Sequence, residues 1–326
     1  SERIFVDVGA RPLAPDFPGV KEVAYLTSSS MMDVDFVPAH LIVVGGSYVG
    51  VEFAQMYRRF GSQVTVVERA PRLVPREDED VSAEIRAILE REGVEVRTSA
   101  QCITLAKAAN GVTVGLVCEQ GEPVAQGSHI LLAVGRAPNT HDLGLEKAGV
   151  ATDERGYIQV NDELSTNVPG IWALGEANGR GAFTHTAYND YEIVAANLFE
   201  GARRRVSDRI TTYALFTDPP LGRAGMTEKE ARASGRQVLA ASLPMSAVAR
   251  AREAGELQGF MKVLVDAETK EFIGAAILGM GGDEIVQNLL DLMYAKTPFT
   301  TVRRAVHIHP TVSEFIPTLL ERLAPL

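Results

Sequence analysis

Two cysteines among 326 residues are too few for a disulfide framework, which excludes a small, disulfide-stapled secreted scaffold. Neither Cys-x-x-Cys nor His-Glu-x-x-His occurs, so no metal-ligand spacing is present. No apolar run reaches the length of a membrane span. The first residues, Ser1-Glu-Arg-Ile-Phe5, lack the apolar core of a signal peptide. These absences point to a cytoplasmic setting with no membrane partner. Positive charge is in deficit, with 32 Lys and Arg against 42 Asp and Glu and a net charge of −10. That balance argues against a nucleic-acid partner. No short-period repeat and no low-complexity tract is seen.

What is present is a globular composition, 46% hydrophobic and 23% charged, on a chain long enough for two or three domains. One stretch organises it: Leu41-Ile-Val-Val-Gly-Gly-Ser-Tyr-Val-Gly-Val-Glu52. Four apolar residues run into a glycine-rich turn, and a helical pattern follows at once. That is the opening of a βαβ unit, which holds a dinucleotide pyrophosphate at a helix N-terminus. Gly45 allows the tight turn and Gly50 lets the helix pack close to the strand. Ser47 stands at the middle glycine of G-x-G-x-x-G, with Gly46 just before it. Val64-Thr-Val-Val-Glu68 reads as the second strand, and Glu68 lies 18 residues after Gly50. A carboxylate there accepts hydrogen bonds from ribose hydroxyls and repels a 2′-phosphate, which favours NAD. Arg69 and Arg72 follow it and keep NADP open as the second choice.

Along the rest of the chain, Ile4–Val8 is a short strand that begins abruptly, and the chain looks cut. Residues 11–37 read as a connection. Val51, Phe53, Ala54 and Met56 supply a helix face that ends at Phe60-Gly61. Val81, Ile85, Ile88 and Leu89 fall at helical spacing, stopped by Glu92-Gly93. Residues 101–135 read as a β-meander turning at Asn110-Gly111. Cys102 and Cys118 flank that turn and either oppose each other on paired strands or stay as two reduced thiols. Tyr157–Val160 reads as a strand, with Trp172 in a further buried strand, and Thr184–Leu198 as a helix in which His185 either approaches a cofactor or is an N-terminal polar residue. Strands are expected at Val238–Leu243, Gly259–Val265 and Phe272–Leu278, with helices at Glu228–Ser234, Glu284–Ala295 and from Ser313 onward. Thr227 and Glu230 spell a capping box. Arg250, Arg252, Glu253 and Glu256 read as a solvated turn, and His307 as a strand residue. His309 precedes Pro310, off any regular helix. Glu314 lies five residues on, either holding the imidazole as a proton carrier or only capping a helix with Thr311.

Five stretches in this order, Ile4–Pro12, Val43–Glu52, Leu131–Asn139, Thr166–Glu176 and His307–Glu314, resemble the class I pyridine nucleotide–disulfide oxidoreductases, which include dihydrolipoamide dehydrogenase, glutathione reductase and mercuric reductase. Residues 179–187, 217–222 and 255–283 resemble a mercuric-reductase-like subgroup that includes a bacterial copper(II) reductase. The resemblance implies an α/β fold: a Rossmann-like NAD(P)-binding domain (38–139) inserted in an FAD-binding domain (1–37 and 140–206), followed by an α+β dimerisation domain (207–326). It implies an FAD-dependent NAD(P)H oxidoreductase working as a homodimer on a disulfide or metal-ion substrate. Hydride would pass from nicotinamide to flavin, then to a cysteine pair.

Residue by residue, the resemblance gives NAD(P) to Gly45, Gly46, Ser47, Val49, Gly50, Glu68 and Arg69. It places Tyr48 over the nicotinamide side of the flavin and pairs Glu52 with a lysine. It makes Gly135 and Arg136 the close of the NAD domain. Gly175 and Glu176 stand at a Gly-Asp pair whose acid holds the ribityl chain, and His309 and Glu314 at the family's acid/base pair. The departures are the family's FAD-binding glycine turn, its Cys-x4-Cys helix and the lysine partner of Glu52, none of which is in this sequence. Glu176 is one methylene longer than the family's Asp. A partial chain with weak or lost flavin is therefore expected, and a non-catalytic NAD-binding and dimerisation module stands as the alternative.

Overall fold

A computed structural model describes residues 1–13, 15–117 and 123–326; the side chain of Cys102 is not described. The expected opposition of Cys102 and Cys118 thus falls outside the described residues. Strands β1 (Ile4–Val6) and β2 (Ala10–Pro12) open the chain. The dinucleotide-type unit follows as β3 (His40–Val44), α1 (Tyr48–Arg59), β4 (Gln63–Val67), α2 (Glu79–Arg91) and β5 (Glu95–Arg97). Three antiparallel strands come next, β6 (Gln101–Ala108), β7 (Gly111–Val117) and β8 (Val124–Gly127), and then β9 (His129–Leu132). β10 (Arg136–Pro138) returns to β2 and β11 (Ile171–Ala173) to β1, before α3 (Thr184–Phe199). The C-terminal part runs β12 (Thr212–Leu215), β13 (Leu221–Gly225), α4 (Glu228–Ala233), β14 (Val238–Pro244), α5 (Ala249–Ala254), β15 (Phe260–Asp266), β16 (Phe272–Leu278), α6 (Gly282–Tyr294), α7 (Phe299–Arg304) and α8 (Ile316–Leu320).

The chain divides into two compact units, Ser1–Ala14 with Gly135–Arg209, and Pro15–Val134 with Ile210–Leu326. In the first, β1 pairs in parallel with β11 and β2 antiparallel with β10. The Trp172 ring stacks on Phe5 at 5.4 Å. Tyr157–Val160 does not form the expected strand; only an isolated bridge joins Thr152 to Ile158. A run of four residues with no continuous neighbour strand has nowhere to place its backbone donors in a ladder.

In the second unit β5-β4-β3-β9 make a parallel sheet. Leu41 to Val44 are buried throughout, because helices and the meander cover both faces of a parallel sheet. The hydrophobic stripe of α1 is Val51, Ala54 and Tyr57, all buried, whereas Met56 points outward, a correction to the expected face. A continuous core joins these residues to Leu215, Leu221 and Leu278 of the six-stranded C-terminal sheet, whose order is β12-β13-β16-β15-β14-β17, with β17 the last short strand, Ala324–Pro325. The other face of that sheet packs Val286, Leu289 and Met293 of α6. The Thr227–Glu230 capping box forms in full, with Glu230 N–H donating to Thr227 Oγ1 at 3.2 Å and Thr227 N–H to Glu230 Oε2 at 2.8 Å. Residues 249–254 are a helix and not the expected charged turn; Ala251 and Val248 bury its inner side while Arg250 pairs with Glu253 outside. His307 stands in an exposed loop and not in a strand.

Candidate functional site

The turn between β3 and α1 is built by close approach. Gly45 has φ +111, and a Cβ there would lie 2.3 Å from the Ala133 carbonyl oxygen. A Cβ on Gly50 would lie 1.8 Å from the Gly45 carbonyl oxygen. Only glycine permits either contact, so the helix starts as near to the strand end as backbones can come. Ser47 is the N-cap, extended at φ −93, with no side-chain cap and no acidic residue in the first helical turn. That leaves the positive end of α1 to the amides of Ser47, Tyr48 and Val49, the arrangement that suits a diphosphate.

Glu68 ends β4 beside this turn. Its Oε2 accepts the Gly46 N–H at 2.6 Å and its Oε1 the Ala70 N–H at 2.6 Å. A carboxylate has about four acceptor positions, so two amide bonds fix its direction and leave capacity for hydroxyls. Arg72 is drawn away to Glu79 at 2.9 Å, and Arg69 is exposed. Chain geometry therefore fits a dinucleotide: a glycine cradle, a helix start beside it and an acid held at its edge.

Tyr48 opens α1. Its ring meets Tyr213 edge-on at 5.3 Å and its hydroxyl reaches Glu77 Oε1 at 3.4 Å. Burial first, and Glu77 second, push its phenol up to about 12. Glu52, one helical turn further on, accepts the Phe216 N–H at 2.8 Å. Burial raises its carboxyl above the usual range, and the Phe216 bond offsets this only in part. No side-chain cation pairs with it among the described residues.

In the first unit, Gly175 has φ +64 and donates its N–H to buried Asp190 at 2.9 Å. Both oxygens of Glu176 are held by Arg136, at 2.6 and 3.0 Å, just beyond Gly135 at φ +135. The structure thus brings together Gly135, Arg136, Gly175 and Glu176, with the Glu176 carboxylate paired to Arg136. Those two bonds take part of the carboxylate's acceptor capacity and fix its direction toward Arg136.

Near the C-terminus, His309 Nδ1 lies 3.1 Å from both oxygens of Glu314. The ring is 71% exposed while the carboxylate is 15% exposed. Nδ1 is the ring nitrogen engaged by the carboxylate, on a ring that is otherwise exposed. Glu314 also caps: it accepts the Thr311 N–H at 3.2 Å and donates its own N–H to Thr311 Oγ1 at 3.2 Å. Glu314 thus contacts the imidazole and caps the following turn at once. Val306 is fully exposed and Ile308 is 80% exposed beside it.

Sequence reasoning missed a buried charge cluster. Arg223, in the middle of β13, donates from Nε to Glu77 at 3.0 Å, and Nη2 lies 3.2 Å from Asp78. Lys262 Nζ sits among Asp78, Asp80 and Glu228 at 3.2, 2.6 and 2.8 Å. Those three carboxylates could otherwise ligate a cation; the lysine ammonium already occupies that place. The one available signal was a charged residue inside each of two otherwise apolar strands.

The family described as pyridine nucleotide-disulphide oxidoreductase matches residues 1–190, and the dimerisation domain of the same family matches residues 211–320. A probable pyridine nucleotide-disulfide oxidoreductase of Escherichia coli, RclA, is 36% identical over 315 residues, which are 96% of this chain and 70% of RclA. A dihydrolipoyl dehydrogenase of Thermus scotoductus is 33% identical over 327 residues, 99% of this chain and 70% of its own length. The solved Cu(II) complex of the HOCl-induced flavoprotein disulfide reductase RclA from Escherichia coli superposes with a TM-score of 0.91 at 35% identity, over 98% of this chain and 74% of that one.

Proposed function

Because the chain belongs to the pyridine nucleotide-disulphide oxidoreductase family, we propose that its own part in that chemistry is to bind NADH at the Gly45–Gly50 turn. By membership it is an FAD-dependent NAD(P)H oxidoreductase. The relatives run in order through nearly the whole chain, which supports an oxidoreductase over a bare binding module. The observation that carries NADH over NADPH is Glu68, its carboxylate fixed by the Gly46 and Ala70 amides at the turn. A 2′-phosphate would meet that charge, and Arg72 is committed to Glu79.

When bound, the nicotinamide supplies a hydride. The α1 amides hold the diphosphate, Glu68 orients the ribose, and Tyr48 stands at the mouth of the turn. His309, oriented by Glu314, holds or releases a proton at Nε2. The substrate class is a disulfide or a metal ion, as the reductases it resembles suggest.

NADH is expected to bind at least about tenfold more tightly than NADPH, and Glu68→Ala to weaken NADH by about tenfold or more, the usual effect of losing hydrogen bonds to a charged group. Calorimetric titration measures both. Equal affinities in the unaltered chain would remove the ribose role of Glu68. The match to a dimerisation domain and the exposed Val306 and Ile308 support a homodimer formed through residues 208–326. Sedimentation should show a concentration-dependent dimer; a concentration-independent monomer contradicts it.

A further inference from the structure

The sequence holds two Asn-Gly pairs, Asn110-Gly111 and Asn178-Gly179. An asparagine before glycine is open to a reaction that needs no enzyme, because the following residue has no side chain to shield its amide nitrogen. The two pairs read alike in sequence, and the fold separates them.

Asn178 is buried. Its Nδ2 donates to the Ala173 carbonyl at 3.0 Å and to Asp190 at 2.9 Å, and its Oδ1 accepts the Arg180 N–H at 2.7 Å. A carboxamide held at both polar atoms cannot turn its Cγ onto the next nitrogen. Asn110 is the reverse case. It is exposed, in the two-residue turn that joins Ala108 of β6 to Gly111 of β7, and turn tips are where backbone and side chain move most easily.

Gly111 links that turn to the parallel sheet. Its φ is +142, and a Cβ there would lie 2.2 Å from the Gly127 carbonyl oxygen and 2.8 Å from the Ser128 Cα. Ser128 in turn donates its N–H to the His40 carbonyl at 2.9 Å, and its Oγ accepts the His40 N–H at 3.0 Å. Val112 and Val114 of β7 share a core with Ile42 and Val44 of β3. A backbone change beside Gly111 therefore presses on the start of β3, the strand that carries the glycine turn.

We propose that Asn110 is a self-modification site, which converts to aspartate and isoaspartate in the folded chain while Asn178 is preserved. The Gly111 amide nitrogen gives up its proton to solvent and attacks Asn110 Cγ. A ring closes through the new N–C bond, the Cγ–Nδ2 bond breaks, and the side-chain nitrogen leaves as ammonia. Water then opens the ring at one of its two carbonyls. Opening at Cγ gives aspartate with the ordinary backbone. Opening at the main-chain carbonyl gives isoaspartate, whose backbone runs through the side chain and is one methylene longer. Nothing is oxidised or reduced. Either product adds one negative charge, and only isoaspartate lengthens the path into Gly111, where there is no room for it.

The unaltered chain, aged in mild alkali and then digested, tests this by peptide mass spectrometry and by labelling with an isoaspartyl methyltransferase. The Asn110 peptide should gain one mass unit and resolve into two isomers, one of which takes the methyl group. The Asn178 peptide should stay unchanged until the chain is unfolded in urea, where both convert. Thermal melting reads the consequence. The aged chain should melt about 2 °C or more below the fresh one. Asn110→Asp, which carries the charge without the added methylene, should melt with the fresh chain, and Asn110→Gln should keep its melting temperature through the same ageing. An Asn110 that stays intact in the folded chain, or an Asn178 that converts alongside it, overturns the inference. An aged chain that melts with the fresh one, or an Asn110→Asp that melts as low as the aged chain, overturns the link from the turn to β3.

Discussion

Glu77→Ala is expected to lower the unfolding free energy by about 3–5 kcal/mol, the cost of orphaning one partner of a buried ion pair. Arg223 lies inside β13 with its side chain 2% exposed. Without Glu77 its guanidinium keeps Asp78, at 3.2 Å, as its carboxylate partner among the described residues. Tyr213 would lose its 2.6 Å acceptor at the same time. Burial would raise the Asp78 carboxyl, yet Arg223 and Lys262 beside it hold it below the ordinary carboxylate range. A carboxyl depressed in the folded state adds stability above its unfolded value, near pH 4, and that stability is lost as pH falls through the lower folded value. The cluster should therefore weaken toward acid. Replacing both partners, as in Glu77→Leu with Arg223→Leu, should recover much of the loss, since the penalty comes from an uncompensated charge more than from a missing attraction. Urea unfolding measures all three chains. A Glu77→Ala loss below about 1 kcal/mol, the range of a surface pair, would mean that the cluster is solvated.

Gly50→Ala is expected to weaken NADH by at least about tenfold, on the scale that an ångström of misplacement costs an oriented site. The added Cβ meets the Gly45 carbonyl oxygen at 1.8 Å and its carbon at 2.9 Å. Both are backbone atoms of the turn, so no side-chain rotation relieves the contact. α1 must withdraw from β3, carrying the amides of Ser47 to Val49 away from the diphosphate. Gly46→Ala is the contrast. Its Cβ meets the Leu73 Cδ2 methyl at 2.5 Å and the Glu68 Cβ at 3.0 Å, side-chain atoms and not backbone of the turn. It should cost less affinity than Gly50→Ala. Titration with NADH ranks the two; unchanged binding in Gly50→Ala would show that the turn does not seat the ligand.

What the sequence made legible was local. The turn, the acid at the end of β4, the Gly111 hairpin and the Thr227–Glu230 cap each follow from residues a few positions apart or from a fixed spacing. The βαβ unit needs only adjacency, because its strand, turn and helix are consecutive. The His309–Glu314 pair was legible for the same reason, five residues apart in one loop. What stayed hidden was long-range. Glu77 and Arg223 are 146 residues apart, and no local pattern around Glu77 marks it as buried. Its burial depends on a sheet formed much later in the chain. Met56 and the Tyr157–Val160 segment failed for a related reason: the apolar pattern was present, but no neighbouring element covered the one or paired with the other. At Glu176 the sequence shows the acid, while its capture by Arg136 appears only once β10 brings the two together.

A crystal structure of the chain with NADH tests the central claim most directly. The diphosphate should lie within hydrogen-bond reach of the Ser47, Tyr48 and Val49 amides, with the adenosine ribose hydroxyls on Glu68. A dinucleotide bound elsewhere, or a ribose turned away from Glu68, would contradict it.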